Sequence, residues 1–277
     1  MCPGLESPSS GPGHEQVVSI KTQFIMKKFF LAALCLLGMA ALPVQAQKLH
    51  AVAGLESSHL WRGLEVSKGV TLNNEFAISD NGNHFRFGLW GGMQIDGDYK
   101  EVDWYASYTL GGFNIALWDI YNFSDGIWAD GAKQYRFFNW NCHNTGHFFD
   151  LGLSYNFGHD TNFPLTLSWT TLVAGRDRGS LDKQNIYSTF VQASYVFYEN
   201  EKWKVDGSVG GAFALNGYDE DANDNFYGKS AGVNDVRLGC TYKLKVGKHP
   251  LPITSQVMFN PENNKGYFRV AVNLLDL

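Results

Sequence analysis

His147-Phe148-Phe149-Asp150-Leu151-Gly152-Leu153-Ser154-Tyr155-Asn156-Phe157 decides how the rest of the chain is read. Phe149, Leu151, Leu153, Tyr155 and Phe157 alternate with Asp150, Gly152, Ser154 and Asn156. A period of two belongs to a strand whose faces meet different surroundings, whereas an amphipathic helix repeats every 3.6 residues. The segment after Phe163 follows the same rule, with Leu165, Leu167, Trp169, Thr171 and Val173 set against Thr166, Ser168 and Thr170. Trp203 to Leu215 and Tyr267 to Leu274 repeat it again. Beyond Gln47 no helical period of any length competes, and no apolar stretch suits a transmembrane helix.

Extended outward, the pattern predicts twelve strands over 50–58, 69–78, 84–93, 101–110, 113–122, 147–157, 164–173, 185–198, 202–215, 232–244, 252–259 and 266–275. Each is near the length that a tilted membrane-spanning strand requires. The connections give a second signal. The short ones, Ser79 to Asn83, Leu110 to Gly112, Gly158 to Pro164, Glu199 to Glu201 and Val246 to Leu251, all fall at even-numbered junctions. The three longest, 123–146, 174–184 and 216–231, fall at odd-numbered ones. Outer-membrane barrels have an even strand count, short periplasmic turns and longer outer loops. The fold class expected is therefore all-β: a 12-stranded antiparallel transmembrane β-barrel of outer-membrane type, with both termini periplasmic.

Such a barrel turns its apolar face to lipid and its polar face to the lumen. The lumen should then receive Arg62, Arg86, Glu101, Asp103, Asp150, Asp206, Arg237 and Arg269, together with Glu56, Glu75, Lys204 and Asp235. Unpaired charges in a poorly hydrated barrel are costly, so these residues either pair across strands or line water. Glu101 and Asp103 share one face, which makes Arg86 or Arg62 a candidate partner, and Trp61-Arg62-Gly63 reads as a strand-end turn with Trp61 near the outer interface. Asp119 breaks the pattern, because its phase with Ile115, Leu117 and Tyr121 points it to lipid. A bulge there, or a place high in the headgroup layer, would reconcile it.

Composition alone leans toward β, and a soluble β-sandwich shares the profile. Charged residues make up 18% of the 277-residue chain, aromatics 15%, and there are 30 glycines; the soluble norm for charge is about 25%. Basic residues are scattered and the net charge is −5, so no nucleic-acid footprint is expected. From Met26, Lys27-Lys28, the apolar run Phe29 to Leu42 and Val44-Gln45-Ala46 read as a signal peptide over 26–46, with the mature chain starting at Gln47. Residues 1–25, rich in Pro, Gly and Ser, read as an upstream extension assigned in error, and 47–277 as one barrel domain. Cys35 does not sit in a convincing lipobox. Cys142 lies in a loop and Cys240 on the apolar face of a strand, so no disulfide between them is expected.

No GxSxG, HExxH or phosphate-binding loop occurs, and the histidines are dispersed. His143 and His147, near Cys142 and Asp150, superficially suggest a metal site, but nothing fixes ligand geometry. No cofactor, metal or catalytic residue is expected. Trp128, Tyr135, Phe137, Phe138 and Trp140 in the first long loop read as an interface girdle. Asp219, Glu220, Asp221 and Asp224 in the 216–231 loop read as a solvated charge run.

Several short motifs occur in order within residues 50–122: Leu60-Trp61-Arg62-Gly63-Leu64, Gly88-Leu89-Trp90-Gly91, Glu101-Val102-Asp103-Trp104-Tyr105 and Asp119-Ile120-Tyr121. This region resembles the Gcw_chp (TorF) family of outer-membrane porin-like proteins, which has no assigned reaction. The downstream stretch Phe163 to Trp169, with Ala174-Gly175-Arg176-Asp177 and Tyr187-Ser188-Thr189, is similar to exported barrel-like proteins common in Bacteroidetes. The resemblance implies an outer-membrane location in a Gram-negative cell and a porin-like architecture, and it carries over no catalytic residues. Leu277 stands where such barrels usually end in an aromatic residue.

The leading functional expectation is a passive porin-like channel for small hydrophilic solutes, with outer-membrane lipid and the barrel-assembly machinery as partners. The alternatives are a non-conducting structural or surface-interaction barrel acting through its outer loops, and a lipid-modifying enzyme. A soluble periplasmic sandwich is the rival fold. Oligomeric state is left open.

Overall fold

Period-two alternation produces a wall of strands in the computed structural model, which describes residues 47–124, 136–178, 184–217 and 224–277. The expected extension 1–25 and signal peptide 26–46 lie outside the described residues, as do Trp128, Tyr135, Asp219, Glu220 and Asp221. The strands are β1 (Gln47–Glu56), β2 (His59–Trp61), β3 (Leu64–Ser67), β4 (Thr71–Asp80), β5 (Phe85–Gln94), β6 (Lys100–Leu110) and β7 (Phe113–Asn122). They continue as β8 (His147–Asn156), β9 (Leu165–Gly175), β10 (Ser188–Glu199), β11 (Trp203–Ala214), β12 (Gly232–Val246), β13 (His249–Asn260) and β14 (Lys265–Asp276). All but β2 and β3 form one closed antiparallel barrel in which sequence neighbours pair and β1 pairs with both β4 and β14. That barrel has the twelve strands expected from the sequence. No described helix is long and apolar enough to cross a membrane.

Register sets the faces. On β8, Phe149, Leu151, Leu153 and Tyr155 point outward, while Asp150 and Phe148 are buried inside. Leu72, Phe76, Leu89, Leu117, Leu153, Leu167, Leu238 and Phe268 are exposed on the outer surface, so the apolar side of the wall faces out. Because the sheet closes on itself, it leaves no row of edge amides and carbonyls unpaired. The short turns 81–84, 111–112, 157–164, 200–202 and 247–248 lie at the end where β1 starts and β14 stops. The longest connections lie at the opposite end, as the junction parity predicts.

Two departures have local causes. β10 starts at Ser188, three residues later than the alternation suggests, because Tyr187 takes a positive φ of 53° and the Ser188 amide donates to Asp177 Oδ2. In β12 the pairing with β11 skips Asn234 between Gly210 and Gly211. A bulge of this kind re-aims side chains, and here it leaves both Asn234 and Asp235 buried in the interior.

Asp119 keeps its outward phase without the bulge that would have shifted it. The register of β7 with β6 and β8 is regular through it, so its side chain stays in the outward phase, opposite Trp104 and Phe149. It is nonetheless fully buried, because the 136–146 segment folds against the outside of the wall near the rim. His147 Nδ1 lies 2.7 Å from Asp119 Oδ1, and its Nε2 lies 2.6 Å from the Phe137 carbonyl. Trp140 Nε1 donates to Asp119 Oδ2 at 3.3 Å. His147 and Asp150 therefore sit on opposite faces of β8, which removes the geometric basis for a joint metal site. Cys142 and Cys240 are both free thiols.

Candidate functional site

The first connection at the long-loop end builds the centre of the molecule. His59-Leu60-Trp61 and Leu64 to Ser67 pair as a short hairpin, β2–β3, around Arg62-Gly63. Both turn residues have positive φ, 45° and 83°, as a primed two-residue turn requires. Glycine is needed at the second position, since a Cβ on Gly63 would lie 2.3 Å from the Asn234 carbonyl oxygen. Trp61 was expected near the outer interface. It instead packs inside the barrel against Phe148, Phe226 and Tyr227, with ring centroids 5.4 to 6.1 Å apart.

The hairpin crosses the lumen. It leaves the wall between β1 and β4, and its tip is held both across the lumen, by β8, and from the β12–β13 side. Arg62 Nη2 donates to Asp150 Oδ2 on β8 at 2.5 Å and Nη1 to the Tyr227 hydroxyl at 2.7 Å. The Arg62 carbonyl accepts from Asn234 Nδ2 at 3.0 Å, and the Gly63 carbonyl from Asn260 Nδ2 at 2.9 Å. The guanidinium also lies 4.6 Å from the Trp61 ring centre, a cation–π arrangement. At the hairpin base His59 Nδ1 meets Glu56 Oε1 at 2.6 Å, and Arg269 Nη1 donates to Glu56 Oε2 at 2.9 Å. A second inward piece, Asn225 to Gly228, meets the hairpin and is tied to β10 by the Phe226 amide donating to Ser188 Oγ at 2.7 Å. Ile120, Phe148, Leu172, Phe190 and Ala212 on the wall complete an apolar packing around Trp61 and Phe226.

The charged residues of the inner face take partners that differ from those the sequence suggested. Arg86 pairs with Glu75 at 2.5 Å, and the Tyr105 hydroxyl donates to the same carboxylate oxygen at 2.5 Å. Arg237 makes a bidentate pair with Asp235, both contacts at 2.6 Å. Asp206 lies against Gly239 on the neighbouring strand. Glu101 and Asp103 pair with neither Arg86 nor Arg62, because Glu75 and Asp150 already hold those guanidiniums. Glu101 Oε2 instead accepts from Asn122 Nδ2 at 2.8 Å, and Asp103 Oδ1 from the Tyr121 amide at 3.1 Å.

Two cavities remain beside the hairpin, the inner one on the β5–β8 side of the wall and the outer one reaching round to the β13–β14 connection. The outer one, about 680 Å³, opens at the long-loop end, with Lys68, Asp98, Arg176 and Lys265 around it. The inner one, about 320 Å³, lies between Trp90, Trp118, Asp103 and Asp150. They share His59, Trp61, Glu101 and Ile120, which stand between the two spaces. Arg176, the first residue beyond β9, has its guanidinium 5.1 Å from the Phe148 ring centre. Burial lowers its pKa to about 10, against the opposing pull of Glu101 and Asp177, so it stays charged at neutral pH.

Tyr227, Asn234, Asn260 and Trp118 were not singled out by sequence reasoning, and Trp90 entered only as part of the Gly88-Leu89-Trp90-Gly91 motif. The two asparagines carry only the weak signal of a polar side chain within a strand, and the tryptophans read equally well as wall residues.

Closed wall, apolar exterior and crossed lumen together define the class, an up-and-down twelve-stranded β-barrel with a plug folded in from its own first loop. No family model and no curated protein matches the chain. Solved structures similar to it include a bacterial polysaccharide outer membrane secretin, at TM-score 0.36 and 12% identity, covering 83% of this chain and 72% of that one. The translocator domain of the autotransporter NalP from Neisseria meningitidis is similar at TM-score 0.32 and 10% identity, covering 92% and 96%. A mutant of the Rh. blastica porin is similar at TM-score 0.32 and 11% identity, covering 83% and 100%. Similarities at this level say nothing about what passes through or binds to this barrel.

Proposed function

We propose that the protein is a Gram-negative outer-membrane barrel that passes small hydrophilic solutes along the gap between its inner hairpin and the β5–β8 wall. The observation that carries this reading is the pair of adjacent cavities lined in common by His59, Trp61, Glu101 and Ile120. The apolar outer surface, the closure of the barrel sheet and the expected signal peptide support the membrane location. The Gcw_chp resemblance rests on the quoted motifs alone, and no family model matches the chain. Barrel-assembly machinery and outer-membrane lipid are the partners this reading requires, and it assigns no reaction.

The second reading, a non-conducting barrel acting through its outer loops, is favoured by one observation: the hairpin tip is clamped to β8, β12 and β13. Planar-bilayer recording separates the two. The wild-type protein is expected to give discrete small conductance steps with a cation preference, and Glu101→Gln to reduce that preference. A heat-modifiable, correctly assembled barrel without conductance defeats the passage reading in favour of the closed one.

A further inference from the structure

We infer that the inner cavity is a binding site for a small primary ammonium ion, held by Asp103 and Asp150 and walled by Trp90 and Trp118. The inference rests on the solute-passage reading and names the class of solute.

The charge balance points this way. Three carboxylates, Glu101, Asp103 and Asp150, line the cavity, and the basic residues around it are already engaged. Arg62 is matched to Asp150, His59 to Glu56, and Glu101 shares the outer cavity with Arg176. Asp103 is 5% exposed; it receives the Tyr121 amide, and no ion pair to it occurs among the described residues. Asp150 is 2% exposed, and its second carboxylate oxygen, Oδ1, has no hydrogen-bond partner. A buried carboxylate oxygen without a donor is costly, and a bound group with N–H donors and positive charge removes that cost.

The remaining walls choose between kinds of cation. Trp90, Trp118 and Ile120 present apolar surface to the space, and Trp118 has its other face stacked on Tyr105 at 4.1 Å. Indole faces attract cations and also cover an alkyl chain, which a hydrated metal ion does not offer. A primary ammonium supplies three N–H donors, where a quaternary one supplies none. The volume of about 320 Å³ lies at the small end of ligand pockets, which run from about 300 to 1,000 Å³.

The test is calorimetric titration of the full chain, purified from membranes, with n-butylammonium chloride and, separately, n-butanol as its uncharged counterpart. Saturable binding of n-butylammonium is expected, with n-butanol weaker by about tenfold or more. Asp103→Asn keeps an acceptor for the Tyr121 amide while deleting the charge, and is expected to weaken n-butylammonium binding about tenfold. Trp118→Leu, which leaves every carboxylate in place, is expected to weaken it as well. Equal binding of the alcohol and the ammonium, no saturable binding to the wild type, or unchanged affinity in both variants would overturn the inference. Conductance without n-butylammonium binding also overturns it and leaves the passage reading standing. Binding to a barrel that does not conduct supports the site and removes the passage reading.

Discussion

Arg62 and Asp150 form a buried ion pair inside the lumen, and each answers a cost created by the other. Their N–O distance is 2.5 Å, and the side chains are 15% and 3% exposed. Removing one member of such a pair leaves a buried charge uncompensated, at a cost of roughly 3–5 kcal/mol, while replacing both by apolar residues is often neutral. Asp150→Ala is therefore expected to lower the urea resistance of the assembled barrel, followed by heat-modifiable gel mobility. The double variant Arg62→Met with Asp150→Leu should recover most of the loss. If the double variant is no better than the single one, the pair is not the unit that matters. The sequence showed which faces of the strands carry these charges, since the alternation around Leu151 and Leu153 fixes Asp150 inward. It could not show which charges meet. Arg86 had acids on several strands to choose from, and it shares Glu75 Oε1 with the Tyr105 hydroxyl, a meeting of three strands that no local pattern encodes.

Among the elements, the wall strands were legible and the β2–β3 hairpin was not. A wall strand announces itself by period two over about ten residues, whereas the hairpin arms have three and four residues, too few for any period to register. Its anchors are also remote, with Asp150, Asn234 and Asn260 lying 88, 172 and 197 residues from the tip. The same limit applies to Asp119. Its outward phase was correct from sequence, but the segment that covers it packs there through Asp119–His147 and Trp140 contacts that no local pattern encodes. Because the hairpin is the element that crosses the lumen, replacing residues 59–67 by a short Gly-Ser link is expected to raise single-channel conductance severalfold while the barrel still assembles. Unchanged conductance in an assembled deletion variant would show that the hairpin does not limit passage.

For the molecule as a whole, the outward apolar face separates a membrane barrel from a soluble one. Leu117 lies midway along β7 and is exposed on that face. In a bilayer, Leu117→Arg is expected to destabilise the folded barrel by about 2–4 kcal/mol, measured by reversible unfolding from lipid vesicles. A water-exposed surface position would shift by no more than about 0.5 kcal/mol, and that result would sink the membrane assignment.

The clamped hairpin tip also dictates an order of assembly. The hairpin follows the first strand of the barrel, yet two of its anchors, Asn234 and Asn260, belong to β12 and β13 near the end of the chain. The wall closes only when β14 pairs with β1, the strand from which the hairpin springs. The tip's contacts to Asn234 and Asn260 can therefore form only once β12 and β13 are in place, so the first loop of the barrel is locked by nearly the last of its strands.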